Sequence, residues 1–160
     1  MAKKYWLFKS EPNVFSIKDL ERATGKTTCW DGVRNYQARN YLRDEVVVGD
    51  QVLFYHSNAD PPAIAGIAEV VKAGYPDSCA FDKKSKYFDE KSNPKNPTWF
   101  VVDIKHVKTF SKPINLPDLR ANLKLKNMLL LQKGNRLSIQ PVSQDEWQSI
   151  MSMTQSLSLK

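Results

Sequence analysis

Runs of apolar residues, some unbroken and some alternating with polar ones, mark out the strands of this chain. KKYWLFKS (residues 3–10) is short and aromatic-rich and ends against Glu11-Pro12, where proline cannot donate to a sheet, so it predicts a first strand. GDQVLFYHS (49–57) opens with a turn pair and then runs apolar, and AIAGIAEVVKAGY (63–75) mixes small and large residues around Gly66. Both predict strands, with Gly66 at a bulge or a close approach. TWFVVDIKHVKTF (98–110) alternates as a long strand should, and RLSIQPVS (136–143) predicts another.

Helical spacing accounts for most of the rest. In SIKDLERATG (16–25), Ser16 can cap, Asp19 completes a capping-box pattern and Gly25 supplies a left-handed stop, which predicts a helix of about eight residues. VRNYQARNYLR (33–43) predicts a second short helix capped by Asn35, with Arg39 and Arg43 one turn apart. NLPDLRANLKLKNMLLLQ (115–132) is leucine-rich at mixed helical spacing, and Ser143 with Glu146 boxes a last helix over QDEWQSIMSM. Between Pro76 and Pro97 lies the one long polar stretch, including FDKKSKYFDEKSNPKNP, which reads as a flap carrying Tyr87 and Phe88. Five or six strands that mostly do not alternate with helices predict an α+β fold, a small, mainly antiparallel barrel or strongly curved sheet rather than a doubly wound one. No internal repeat is visible, and 160 residues suit a single domain.

Charge narrows the partners. Lys and Arg number 24 against 17 Asp and Glu, a formal charge of +7, which favours an anionic partner and nucleic acid first. Cys29 and Cys79 form no CxxC pair, and the first strand follows the initiator methionine without a signal-like segment. A reducing compartment is therefore expected. A monomer is expected as well. No apolar stretch approaches the roughly 20 residues that span a bilayer, so no membrane partner is expected.

Several site chemistries fail on spacing. Gly25-Lys26-Thr27 ends like a phosphate-binding loop, but Leu20 stands where its first glycine belongs. Two histidines and two separated cysteines offer no chelating pair, so neither metal nor cofactor is expected. There is no GxSxG elbow, and Ser10, Glu11, Asp31 and His56 are scattered over different segments. Glu11 and Asp31 read most simply as turn or cap carboxylates and His56 as a strand-end histidine, although Lys9, Glu11 and His56 could line a hydrolytic cleft. Trp30 stands out more. It lies outside any periodic apolar face, with Gly32 next to it and Arg34, Arg39 and Arg43 following. It could plug the end of a barrel, or it could be the stacking wall for an extruded nucleotide whose phosphates the arginines attract.

The segments YWLFKSEP, TTCWDGVRNYQARNYLR, FYHSN, GIAEVVKAGYPD, LKNMLLLQ and RLSIQPVSQDEW resemble, in order and over nearly the whole chain, the EVE domain. This resemblance implies a PUA-like fold, related to YTH domains, and a reader that accepts a flipped, modified base of RNA or DNA. It places Lys9 at a phosphate, Ser10 at the base edge and Trp30 against the base. Glu11, Pro12, Asp31, Gly32, Val33, Asn35, Tyr36 and Phe54 would surround these, and His56, Ser57 and Asn58 would border the pocket. Arg34, Arg39, Lys83, Lys84 and Lys86 would join Lys9 at the phosphates. The YTH pattern's second cage tryptophan is missing from the expected loop, leaving Tyr87, Phe88, Tyr36 and Trp99 as candidates for the second wall. Eukaryotic members of the family carry a basic N-terminal extension that this sequence does not show, so the resemblance points to a cytoplasmic, bacterial-type protein, or a nuclear one if the source is eukaryotic.

Overall fold

The computed structural model describes residues 4–158. Ten principal elements run β1 (Tyr5–Ser10), α1 (Ile17–Arg22), β2 (Thr27–Cys29), α2 (Tyr36–Asn40), β3 (Gln51–His56), β4 (Ala63–Pro76), β5 (Phe100–Asn115), α3 (Leu116–Ala121), β6 (Ile139–Val142) and α4 (Gln144–Ser158). The strands form one sheet in the order β2-β5-β4-β3-β1-β6. Every pairing is antiparallel except that of β1 with β3. The expected α+β, PUA-like fold with a curved, mainly antiparallel sheet is present. The sheet remains open among the described residues, with β2 and β6 at its edges, rather than closing into a barrel.

The parallel pair at the centre explains the unbroken apolar runs. Side chains alternate across a strand, so Trp6 and Phe8 of β1 and Val52 and Phe54 of β3 join one core layer. Leu7, Leu53 and Tyr55 join the other. The first layer packs under α1, Trp30 and α2; the second packs under α3, the turn around Met128, and α4. Trp6 Nε1 donates to the buried Asp50 carboxylate at 2.9 Å, and the Lys4 and Val47 amides donate to the same group, which ties β1 to the turn before β3.

Curvature comes from the long strands. The β4–β5 ladder shifts register four times, one shift lying at Gly66, where a Cβ would stand 2.3 Å from the Lys108 carbonyl. Only glycine permits that approach. Both predicted capping boxes form: Ser16 with Asp19 on α1, and Ser143 with Glu146 on α4. Gly25 is left-handed as expected (φ 63), but it sits in a separate 3-10 turn because α1 stops at Arg22. Asn35 caps α2, whose last turn widens into a π-helical turn over Tyr41–Glu45. β2 has three residues, too few for its pattern to show in the sequence.

Candidate functional site

A hollow of about 520 Å³ opens where the end of β1, the segment after β2 and the 77–99 connection meet. That volume lies within the usual range of small-ligand pockets. Of the residues expected in a site, Lys9, Ser10, Glu11, Trp30, Asp31, Gly32, Val33, Arg34 and Lys86 line it. Val14, Phe15, Thr28, Cys29, Tyr87 and Ser138 complete the lining. Phe15 precedes the Ser16 cap, a position that favours an apolar residue packed back on the helix, so its inward placement was open to reading.

Trp30 serves the core and the hollow together. It is 8% exposed and packs at 5.4 Å from Phe8, edge-on to Phe54 at 5.5 Å and edge-on to Phe15 at 6.5 Å. Its amide donates to the Val102 carbonyl on β5. The indole is thus held by three rings and a strand, and its remaining surface adjoins the hollow.

Tyr87 also lines the hollow, carried in from the flap by a chain of contacts. Asp77, 1% exposed, accepts from the Gly32 amide at 3.0 Å, from Arg34 Nη1 at 2.9 Å and from the Cys79 amide at 2.9 Å. The Arg34 guanidinium also donates to the Tyr87 carbonyl at 2.6 Å and lies 5.5 and 5.2 Å from the ring centres of Tyr87 and Trp99. The Tyr87 ring rests on Gly32, where φ is +77 and a Cβ would come within 2.4 Å of the ring. Cys79 Sγ donates to Asp31 at 3.3 Å; burial, then the Asp31 carboxylate, push the thiol up to about 11. Both cysteines are free.

The hollow's charge is mixed. Lys9, Arg34 and Lys86 face Glu11 and Asp31. Partial burial holds Lys9 below the ordinary lysine value, and Lys86 Nζ lies 5.0 Å from the Tyr87 ring centre. Ser10 Oγ donates to the Phe15 carbonyl at 2.6 Å, which fixes the turn from β1 into α1.

Other expected site residues lie elsewhere, each for a visible reason. Phe54 is fully buried against the edge of Trp30. His56 does not line the hollow, because its Nε2 accepts the Ile17 amide at 3.1 Å at the start of α1. Burial lowers its pKa, with Asp19 opposing. The Ser57 amide donates to the Ser10 carbonyl, and Asn58, at φ 49, donates to Glu11 at 3.3 Å. Asn35 is occupied as the α2 cap, and Tyr36 stacks on Trp99 at 5.1 Å. Pro12 lies in the turn after β1, away from the lining. Among the cations expected at phosphates, Arg39 donates to the Thr98 carbonyl and does not reach the hollow. Lys83 and Lys84 are exposed on the flap outside it. Arg43, one turn on from Arg39, pairs with Asp44 at 2.8 Å. Among the described residues no group of three His, Cys, Asp or Glu side chains could hold a metal, and no helix is long and apolar enough to cross a membrane.

The chain matches the EVE domain over residues 4–153. It is 42% identical to human thymocyte nuclear protein 1 over 93% of its own length and 73% of that protein's. Its structure superposes on a hypothetical protein of Leishmania major with a TM-score of 0.91 at 45% identity, covering 98% of each chain. The human THYN1 protein, crystallised in complex with DNA containing 5-methylcytosine, gives a TM-score of 0.89 at 41% identity, covering 95% of this chain and 98% of the other. A domain matched from the first described residue through most of the last helix, with relatives this similar along its length, places the chain in the EVE domain family.

Proposed function

We propose that this protein reads a modified nucleobase that leaves its strand and enters the hollow between Trp30 and Tyr87. The observation that carries the reading is the hollow itself, lined by an indole fixed by Phe8, Phe15 and Phe54, by the phenol ring of Tyr87 and by polar groups of both signs. Aromatic walls stack on any base, and cations at the rim suit its phosphates. Glu11 and Asp31 add acceptors suited to an exocyclic amino group, as on cytosine or adenine, while Lys9 is a donor for a ring carbonyl or a phosphate. That the similar human THYN1 protein was crystallised with 5-methylcytosine DNA supports a modified cytosine as the first ligand to test. The protein would act as a monomer where both cysteines stay reduced, in the cytoplasm or, as the name of its relative thymocyte nuclear protein 1 supports, in a nucleus.

The rival reading, hydrolysis of a modified nucleoside or small amide, needs Lys9, Glu11 and His56 in one cleft. His56 lies outside the lining, and its Nε2 is taken by the Ile17 amide. Titration with matched DNA and RNA oligonucleotides carrying cytosine or 5-methylcytosine separates the readings. A reader prefers one base by about 5- to 150-fold, the equivalent of roughly 1–3 kcal/mol for a methyl group in an apolar site, and leaves the ligand unchanged. Trp30→Phe, which keeps most of the packing, weakens binding by about fivefold or more if a base stacks there. Equal affinity for all four oligonucleotides, unmoved by Trp30→Phe, overturns the proposal.

A further inference from the structure

A second hollow, of about 620 Å³, shares no lining residue with the first. Its lining includes Lys133 and Arg136, both exposed, and contains no Asp or Glu. Neither cation enters an ion pair or hydrogen bond with a described residue. Asn35 and Asn135 also line it. Each uses its amide oxygen internally, Asn35 on the Ala38 amide and Asn135 on the Leu137 amide and Gln140, which leaves the N–H₂ groups as free donors. The surface thus offers two positive charges and two amide donors, the complement of phosphodiester oxygens.

The two hollows adjoin along the chain at two places. Val33 and Arg34 line the first and Asn35 the second; Ser138 lines the first, Leu137 and Arg136 the second. Consecutive Cα atoms lie about 3.8 Å apart, so at both places the backbone passes directly from one lining to the other. Nucleotides of a stacked strand rise by about 3.4 Å each, so a strand leaving the first hollow reaches the second within a few nucleotides. The loop carrying the cations is held in place: Gly134 takes φ +80 at its tip, and the buried Gln140 of β6 donates to Asn135 and to the Leu137 carbonyl. Cations on an anchored loop lose less freedom on binding than cations on a free one.

We propose that this groove holds the backbone of the strand flanking the extruded base, with Lys133 and Arg136 each at one phosphate. The proposal rests on the base-reading role of the first hollow. The test is a salt titration of wild type and Lys133→Gln/Arg136→Gln with a 12-nucleotide strand carrying one central 5-methylcytosine, and with the same strand carrying cytosine. Loss of two phosphate contacts makes the plot of log affinity against log salt shallower by about 1.5 and weakens binding at 0.1 M salt by about 30-fold, if the two lines meet near 1 M. The preference for 5-methylcytosine over cytosine stays as in wild type. A double variant with the wild-type slope and affinity overturns the groove, including the case in which it serves a protein partner instead. A changed slope with no base preference in either protein keeps the groove and overturns the reading of the first hollow.

Discussion

Trp30, Gly32 and His56 each do a job visible in their contacts, and each makes a separable prediction. Trp30→Ala empties a space among Phe8, Phe15 and Phe54, so it should cost about 3–5 kcal/mol in denaturant unfolding, apart from any loss of binding. Gly32→Ala drives a Cβ into the Tyr87 ring at a left-handed backbone position. A loss of about 1–3 kcal/mol is expected, with Tyr87 displaced; a wild-type melting temperature would contradict this contact. His56 is held neutral by burial, so its folded pKa lies below the ordinary 6.5. Its contribution is complete above pH 6.5 and is lost as the pH falls from there through the lowered folded value, since the unfolded chain then binds the extra proton. Between about pH 7 and pH 5 the wild type should lose melting temperature more steeply than His56→Gln, whose amide oxygen can accept the Ile17 N–H. Identical pH profiles would contradict that assignment.

At the scale of elements, the strands, both capping boxes and the Asn35 cap were legible because each depends on residues close in sequence. The lining of the first hollow was legible only where it followed short continuous segments. Lys9 to Glu11 and Trp30 to Arg34 reach the hollow together, whereas His56, Ser57 and Asn58 turn away because α1 and the β1 turn engage them first. That Tyr87 rather than Phe88, Tyr36 or Trp99 lines the hollow could not be told from sequence, since its placement goes with the long-range contacts of Arg34 to Asp77 and to the Tyr87 carbonyl. The three-residue β2, and with it the placing of Thr28 and Cys29 in the lining, left no readable pattern. That contact also fixes the flap. Arg34→Ala leaves the buried Asp77 carboxylate with only the Gly32 and Cys79 amides, at a cost of about 3 kcal/mol. Limited proteolysis should then cut residues 82–96 sooner than in wild type; equal cutting rates would mean the flap is held by something else.

For the whole molecule, the open six-stranded sheet supports a division of labour. The core layer under α3 and α4 is structural, while the layer under α1 and α2 ends in Trp30 and adjoins the first hollow. The net charge of +7 favours an anionic partner without regard to its sequence, so under the proposed reading discrimination arises where the rings are. The most direct measurement is a crystal structure of the protein with an oligonucleotide bearing one 5-methylcytosine. We predict density for that base turned out of its strand, its ring against the indole of Trp30 and its amino edge toward Glu11 or Asp31. A bound strand whose modified base remains stacked between its neighbours, with the Trp30 hollow empty, would contradict the account.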